Sequence, residues 1–317
     1  MGALDNFVDV KGPSREPEAD APGTIIIDFS QISLSVIFTT YSPNEIKPDA
    51  EESPDLLVKH AILASLKQNI KRFQDQGYDE IVIAIDSASG GYWRRDIASC
   101  YKRNRKKGRE ESPWDFKEIY RIMDDLIQEM TDNFPWKIIR VPRTEADDII
   151  GVLTGHLVEQ GRRVLIISSD SDFTQLHDMG DVSQWSPMQK KMVQSKHGDS
   201  WSDLVVKIAK GDAKDNIGPY RCPVDHFEKG ERAPQTTKKH LQALTEDWKS
   251  TVTEEDRERW AENMQLLDLR RVPEPYNSQI LEAYQTTTPA RSRVYNYLAR
   301  QKMVKLISDV EAFEVRP

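Results

Sequence analysis

Short apolar runs alternate with longer amphipathic segments over the first two thirds of the chain. The apolar runs predict buried strands at residues 24–28, 80–86, 137–141 and 163–168. The amphipathic segments predict helices at residues 31–40, 55–77, 116–130 and 144–160. Thr144, with Asp147 three residues later, resembles a capping box at the start of the last helix. This alternation predicts an α/β fold with a mainly parallel sheet and helices on both faces.

The pattern changes near residue 196. Helical periods recur at 200–210, 236–248, 254–267 and 291–307, separated by Pro, Gly and polar stretches. We therefore expect an α/β domain over residues 23–195 and a helical C-terminal domain over residues 196–317. Residues 1–22 contain three prolines and scattered acids without a regular period, which predicts a disordered tail.

Several classes of protein are excluded by what the sequence lacks. No run of about 18 apolar residues occurs, and the first 23 residues lack the apolar stretch of a signal peptide, so we expect a soluble, cytoplasmic protein without a membrane segment. Cys100 and Cys222 cannot form a disulfide framework or a cysteine zinc site. The motifs of P-loop ATPases, serine hydrolases and dinucleotide-binding proteins are absent from the sequence.

The charge of the chain is unevenly distributed. The net charge is −8, from 44 basic and 52 acidic residues, which is not typical of a nucleic-acid-binding protein. Between Arg94 and Arg109, however, eight basic residues accompany the single acid Asp96, so this segment carries a charge of +7. It indicates either a surface for phosphate groups or a solvated charged loop.

Acidic residues follow the predicted strands or begin the helices after them. They are Asp28, Asp86, Glu145, Asp147, Asp148, Asp170 and Asp172. Because parallel strands end at one edge of a sheet, most of these carboxylates should converge there, where their mutual repulsion favours bound cations. Oxygen ligands without Cys or His select Mg²⁺ or Mn²⁺, and two such ions can catalyse phosphodiester hydrolysis. The alternative for each acid is a helix cap or a solvated turn.

Two further motifs have more than one interpretation. The turn Gly211-Asp212-Ala-Lys-Asp215-Asn216 is either an ordinary polar turn or a phosphate-binding turn that adds two acids to the cluster. Asp170-Ser-Asp172-Phe-Thr174 also resembles the nucleophile motif of haloacid-dehalogenase phosphatases. That phosphatase motif belongs on a first strand, however, and this interpretation leaves Asp28, Asp86 and the basic segment without a role.

Taken together, these motifs resemble the flap endonuclease or 5′ nuclease family, and most of all its T-even bacteriophage ribonuclease H branch. The matching motifs occur in the family's order over residues 24–220: Ile-Asp28-Phe-Ser, Asp86-Ser-Ala-Ser-Gly-Gly-Tyr92-Trp93-Arg94-Arg95-Asp96, Tyr101-Lys102-Arg-Asn-Arg105, Glu145-Ala-Asp147-Asp148, Ser-Ser-Asp170-Ser-Asp172-Phe and Gly211-Asp212-Ala-Lys-Asp215-Asn216. After Asn216 the chain lacks the family's usual Gly repetition, so the resemblance does not extend to the monovalent-ion site of this turn.

The resemblance implies a PIN-like α/β nuclease domain, a basic helical arch at about residues 91–115 and a helix-turn-helix-like DNA-binding module in the C-terminal domain. It implies two Mg²⁺ ions, with Mn²⁺ as a substitute, bound by Asp28, Asp86, Glu145, Asp147, Asp170, Asp172, Asp212 and Asp215. Lys102 and Arg94 match the basic residues that reach the scissile phosphate. The expected DNA contacts are Tyr92, Trp93, Arg95, Arg103, Arg105, Lys106, Lys107, Arg109, Lys214 and Asn216.

The function that the resemblance implies is magnesium-dependent 5′ to 3′ exonuclease and flap endonuclease activity with ribonuclease H activity, removing RNA primers and adjacent 5′ DNA during replication. The expected substrates are flaps, nicked or gapped duplexes and RNA–DNA hybrids, cut by a monomer in the bacterial host cytoplasm. Candidate protein partners are a single-stranded-DNA-binding protein and a sliding clamp. The apolar residues Leu4, Phe7 and Val8 of the tail are the candidate docking motif for the clamp. The alternatives are a noncatalytic DNA junction or clamp-associated protein and a haloacid-dehalogenase-like phosphatase.

Overall fold

The computed structural model describes residues 21–47, 54–230 and 232–314 and is built around a six-stranded sheet. The strands are β1 (Gly23–Asp28), β2 (Tyr78–Ile85), β3 (Lys137–Arg140), β4 (Arg163–Ile167), β5 (Val182–Ser186) and β6 (Lys191–Met192), in the order β3-β2-β1-β4-β5-β6. The first five are parallel, and β6 pairs antiparallel to β5. The carboxyl ends of β1, β2 and β4 therefore lie side by side at one edge of the sheet.

Helices cover both faces of the sheet, as the sequence predicts. Those of the first part are α1 (Phe29–Thr40), α2 (Asp55–Lys71), α3 (Arg94–Ile97), α4 (Arg103–Glu110), α5 (Phe116–Asn133) and α6 (Ala146–Glu159), followed by a 3₁₀ helix over Ser171–Met179. Side chains alternate across each strand, so Ile25 and Ile27 of β1 pack with α1, α2 and α5, whereas Ile26 packs with α6 on the other face.

The C-terminal part is helical, but it does not form a separate layer. Its helices are α7 (Ser200–Lys210), α8 (Lys238–Thr251), α9 (Arg257–Leu267), α10 (Tyr276–Thr286), α11 (Val294–Arg300) and α12 (Val304–Ile307), with 3₁₀ helices over His226–Lys229 and Val310–Phe313. The first three helices share a core of their own with the segment around Tyr101. Ile280 of α10 packs in one core of the sheet, and Leu298 and Phe313 pack in the other. The expected boundary at residue 196 therefore does not separate two independent cores.

Several local predictions differ from the structure. Glu145, not Thr144, is the N-cap of α6, because its amide donates to Asp148 at 2.9 Å while the Thr144 hydroxyl donates to the carbonyl of Val141. Ala21 and Pro22, placed in the predicted tail, accept hydrogen bonds from Arg163 through their carbonyl oxygens. Residues 1–20, with the rest of that tail and its apolar cluster, lie outside the described residues. In the parts of the chain that the structure describes, no helix is long and apolar enough to cross a membrane.

Candidate active site

The carboxyl edge of the sheet opens into a cleft of about 430 Å³. Five of the predicted acids line it: Asp28, Asp86, Glu145, Asp147 and Asp170. Basic and aromatic side chains also line it: Tyr92, Lys102, Arg105, Arg109, Tyr120 and Arg140. The cleft therefore combines a converging set of carboxylates with cationic side chains, which is the combination that the sequence predicts from its motifs.

The two central strands position the first two acids. Asp28 ends β1 and caps α1, where Oδ1 accepts the amide of Gln31 at 3.1 Å and Oδ2 accepts the hydroxyl of Ser168 at 3.0 Å. Asp86 follows β2 and accepts the amide of Ala146 at 2.9 Å, which ties the end of this strand to the start of α6. These hydrogen bonds fix the direction of both carboxylates at the floor of the cleft.

Burial and mutual repulsion disfavour the charged forms of two of these acids. Burial, with a further contribution from the charge of Asp86, raises the pKa of Asp28 to about 7. The pKa of Asp147 lies well above its usual range, chiefly because of burial, although Lys102 acts in the opposite direction. A cation in the cleft would relieve both effects, because it would stabilise the charged carboxylates.

Glu145 lies at the centre of a buried ionic network. Its carboxylate pairs with Nζ of Lys102 and, at 3.0 Å, with Nη1 of Arg94, and it accepts the hydroxyl of Tyr101. Burial would raise the pKa of Glu145, but Lys102 and Arg94 outweigh that effect and lower it. Lys102 also contacts Asp215, with Nζ 3.5 Å from Oδ2, so one lysine links the cleft to the turn after α7.

Asp172 and Asp212 face a second cavity of about 320 Å³ beside the cleft. Lys207 of α7 bridges them, pairing with Asp172 and, with Nζ 3.0 Å from Oδ2, with Asp212. Burial raises the pKa of Asp172, and Lys207 opposes this rise. Asp170, which caps the 3₁₀ helix by accepting the amide of Asp172 at 3.0 Å, stands between the cleft and this cavity. Seven of the eight predicted ligands thus line one of these two spaces, and Asp215 is joined to the cleft through Lys102.

Arg94 does not occupy the place expected of a phosphate contact. It is 2% exposed, and Nε donates to the carbonyl of Leu266 at 2.8 Å while Nη2 pairs with Asp148 at 2.7 Å. Trp93 is also 2% exposed and donates through Nε1 to Asp148 at 3.0 Å. In this arrangement both side chains contact Asp148 of α6 in the interior and neither lines the cleft, where Arg94 is expected to reach the scissile phosphate and Trp93 to contact DNA.

The other predicted DNA contacts divide by exposure. Asn216 is 1% exposed, has a φ of 60° and donates to Glu228 and to the carbonyl of Cys100, so it stabilises the turn and is not available to DNA. Tyr92 is half-buried in the cleft wall. The remaining residues are exposed: Arg95, Arg103, Arg105, Lys106, Lys107, Arg109 and Lys214. Arg103 and Arg105 nevertheless pair with Glu228 and Asp215, respectively.

Three site residues were missed by the sequence reasoning: Tyr101, Ser168 and Lys207. Tyr101 and Ser168 lie within motifs that marked the site, but their hydroxyl groups acquire a role only when the carboxylates of Glu145 and Asp28 are placed beside them. Lys207 belongs to an ordinary amphipathic helix, and no sequence signal separates it from the other lysines of that helix.

The chemistry of the donor set fits a hard divalent cation. All eight predicted ligands are carboxylates, and the raised pKa values of Asp28 and Asp147 mark places where a cation would be stabilising. In the arrangement seen, however, no group of three or more His, Cys, Asp or Glu side chains among the described residues is placed to hold a metal ion. Lys102 and Lys207 instead pair with Glu145, Asp172, Asp212 and Asp215, so ion binding by any of these four acids requires the lysine beside it to move.

Comparison with known proteins identifies the family. Residues 25–200 match the family model for the N-terminal resolvase-like domain of 5′-3′ exonucleases, and residues 198–313 match the model for the C-terminal part of T4 RNase H. The chain is 38% identical over 298 residues to ribonuclease H of Enterobacteria phage T4, covering 92% of this chain and 96% of that protein. It is 28% identical over 202 residues to a 5′-3′ exonuclease of Buchnera aphidicola, covering 61% of this chain and 63% of that protein.

Solved structures share the fold. The zinc-bound 5′-exonuclease of bacteriophage T5 aligns with a TM-score of 0.54 and 16% sequence identity, covering 90% of this chain and 100% of that one. The T5 D15 flap endonuclease in complex with DNA and metal ions also aligns with a TM-score of 0.54. The expected 5′ nuclease fold is confirmed, and the matches do not support the phosphatase alternative. The chain belongs to the 5′-3′ exonuclease family and is a 5′ nuclease.

Proposed function

We propose that this nuclease uses two Mg²⁺ ions, which Mn²⁺ can replace, to remove RNA primers and adjacent 5′ DNA during replication. The observation that carries the proposal is the convergence of five carboxylates on a cleft that basic side chains also line. The carboxylates suit divalent ions, and the basic side chains suit the phosphates of a nucleic acid. The metal-bound relatives in the T5 structures support the same interpretation.

The acids divide naturally into two sets of ligands. The first set would hold ions in the cleft and consists of Asp28, Asp86, Glu145, Asp147 and Asp170. The second set would act from the adjoining cavity and the turn after α7 and consists of Asp172, Asp212 and Asp215. When bound, two such ions activate the attacking water and stabilise charge on the leaving oxygen. The protein's contribution is to orient the carboxylates, through hydrogen bonds such as those of Ser168 and Ala146.

Lys102 and Arg94 have different roles in this proposal. Lys102 lines the cleft, so its ammonium group can stabilise charge on the transferring phosphoryl group. Arg94 is a positioning residue, because it joins Glu145 and Asp148 of the α6 start to the Leu266 carbonyl of α9. It would thereby hold the acidic end of α6 in place without contacting the substrate.

The exposed basic residues suit nucleic-acid substrates, because these present phosphate groups. A flap, a nicked or gapped duplex or an RNA–DNA hybrid presents phosphates to the exposed basic residues of α4 and to Lys214. The place of action would be the bacterial host cytoplasm, with the chain acting as a monomer. A single-stranded-DNA-binding protein and a sliding clamp remain the proposed protein partners.

The experiment that tests the proposal compares substrates and ions directly. The full chain is incubated with a 5′-labelled flap, an RNA-primed duplex and a nicked duplex, each with Mg²⁺, with Mn²⁺ and with EDTA. We expect release of short 5′ products with either ion and none with EDTA. Tight binding to all three substrates without cleavage would favour the noncatalytic junction-binding alternative.

A further inference from the structure

Aromatic side chains continue outward from the cleft along two helices. On α1, Gln31, Leu34 and Phe38 follow one another at intervals of three and four residues, so they share one face of the helix. Gln31 and Leu34 line the cleft, and Phe38 lies one turn farther out, about 6 Å along the helix axis. Although Phe38 is a large apolar side chain, it is 40% exposed.

The start of α5 meets the end of α1 at this point. Phe38 packs against Trp114 with ring centroids 5.0 Å apart and against Phe116 at 6.1 Å. Phe116 in turn contacts Tyr120 at 6.2 Å, and Tyr120 lines the cleft. These four residues, Phe38, Trp114, Phe116 and Tyr120, form an aromatic track that connects the cleft to the surface without interruption.

The basic helix α4 runs beside the aromatic track. Cζ of Arg109 lies 5.7 Å from the ring centroid of Phe116 and 5.3 Å from that of Tyr120. The helix carries five basic residues and one acid, and none of its side chains is buried. Lys106 and Lys107 are 83% and 78% exposed. Phe38 is exposed and the other three rings of the track are half-buried. Accessible rings beside exposed cations match a single-stranded nucleic acid, whose bases stack on aromatic faces while its phosphates pair with basic side chains.

We propose that the aromatic track binds the bases of the single-stranded 5′ segment outside the cleft, with its phosphates on α4. This proposal rests on the proposed function, because it assigns the path of the flap on the same enzyme. The occupant is a single strand rather than a duplex, because bases that are paired in a helix do not offer their faces to side chains. Phe38 and Trp114 would receive the bases farthest from the cleft.

The test separates the bases from the phosphates. Binding of the full chain to two fluorescent flap substrates is measured by anisotropy in EDTA: one has a ten-nucleotide thymidine flap, and the other has an abasic flap of the same length and charge. We expect the parent chain to bind the thymidine flap about five- to thirtyfold more tightly, the range for stacking of about 1 to 2 kcal/mol. Phe38→Ala should reduce this preference at least threefold and leave affinity for the abasic flap unchanged.

Two further substitutions of Phe38 distinguish loss of the aromatic ring from loss of folding. Phe38→Trp keeps an aromatic ring and should preserve the preference, whereas Phe38→Leu keeps an apolar side chain and should lose it. Tyr295→Ala, which removes a ring that is 58% exposed on α11, is the matched control and should behave like the parent. Sedimentation velocity is measured on each variant to detect self-association.

Three results would overturn the proposal. These are equal affinity of the parent for the two flaps, an unchanged preference in Phe38→Ala, or a change in oligomeric state without a change in preference, which would make the track an interface between copies of the chain. Failure of the proposed function is recognised separately, because the parent would then bind flaps with the expected preference and yet cleave none of them with Mg²⁺.

Discussion

The buried network around Glu145 separates residues that maintain the site from residues that act on the substrate. Arg94→Ala would leave Asp148 without its guanidinium partner in the interior, which should lower the free energy of unfolding by about 3 to 5 kcal/mol. Lys102→Ala should cost far less stability, because Glu145 keeps Arg94 and Asp215 keeps Arg105. Urea denaturation of both variants measures this difference.

The rate of cleavage, unlike the stability, should depend strongly on Lys102. At saturating DNA, Lys102→Ala should lower the single-turnover rate about 10²-fold, the scale for loss of one charge-stabilising group. Lys117→Ala, on the exposed side of α5, is the matched control. If Lys102→Ala cleaved at the parental rate once saturated, Lys102 would belong to a docking surface and not to the reacting centre.

The raised pKa of Asp28 makes the stability of the metal-free protein depend on pH. With a folded pKa of about 7 against an ordinary value of 3.8, the folded state binds the proton more tightly than the unfolded state does. Stability contributed by this group is therefore lost as pH rises from about 4 to about 7. In EDTA, Asp28→Asn should gain up to about 3 kcal/mol relative to the parent between pH 5 and pH 8, measured by urea denaturation.

Added Mg²⁺ should remove that gain, because the ion stabilises the charged carboxylate in the parent but has one ligand fewer in the variant. Asp124→Asn, at an exposed position of the cleft wall, serves as the control for removal of one acidic charge. A constant difference between parent and Asp28→Asn across this range would show that Asp28 does not titrate there.

The positions of the acidic residues could be predicted from the sequence, but the contacts of the individual basic residues could not. Asp28 and Asp86 each follow an apolar run, and the geometry of parallel strands brings such ends together. Nothing in the sequence distinguishes Arg94, which pairs with buried Asp148, from Lys106, which is 83% exposed, because both belong to one basic segment. Their different roles arise from long-range packing.

At the scale of the element, α4 should act as an electrostatic surface. Replacing both Lys106 and Lys107 by Ala should weaken DNA binding and flatten its salt dependence by up to about 0.7 to 0.9 in log–log slope for each phosphate group that is no longer neutralised. The saturated cleavage rate should persist, because neither side chain lines the cleft. Affinity measured over a range of salt concentrations gives the slope.

The control for α4 is removal of two equally exposed charges elsewhere. Lys302 and Lys305, near the C-terminal end, are both exposed, and their replacement by Ala should leave the slope nearly unchanged. Equal slopes for the two double variants would show that α4 contributes only net charge. Arg103 and Arg105 are less suitable for this test, because Glu228 and Asp215 pair with them at 3.1 and 2.5 Å, whereas the acids beside Lys106 and Lys107 are the exposed Glu110 and Glu111, at 3.9 and 3.7 Å.

Strand β5 and helix α10, which the sequence did not predict, have weak patterns of apolar residues. Strand β5, with the sequence VSQWS, lacks an apolar run because its polar Gln184 is buried and donates to the carbonyls of Ser168 and Asp170. Helix α10 buries only Ile280 and Tyr284, a single pair four residues apart. Strands β1, β2 and β4 were predictable because burial on both faces requires continuous apolar runs.

At the scale of the whole molecule, the last helices complete the core of the nuclease fold. Phe313 is fully buried and packs its ring 5.4 Å from Phe134 and 6.1 Å from Trp136. Phe313→Ala should therefore lower the free energy of unfolding by about 3 to 5 kcal/mol. Val304→Ala, at a position that is 71% exposed, should change it by less than about 0.5 kcal/mol.

Equal stability of these two variants in urea would mean that the C-terminal segment is dispensable to the core. The same packing explains why a chain ending near residue 195 would be a poor test of duplex binding: it would lose Leu298 and Phe313 from one core and Ile280 from the other. Periodicity predicted most helices of this part, though not α10, and it could not show that they return to the sheet, because that contact joins residues far apart in sequence.

Binding of two catalytic divalent ions by the acids at the carboxyl edge of the sheet can be tested by counting the ions. Mn²⁺ bound per chain is measured by electron paramagnetic resonance for the parent, Asp147→Asn, Asp170→Asn and the control Asp124→Asn. We expect two ions in the parent and in the control, fewer than two in the other variants, and DNA binding within a few fold in all four. Parental stoichiometry in both Asp147→Asn and Asp170→Asn, or no ion bound by the parent, would contradict the two-ion site.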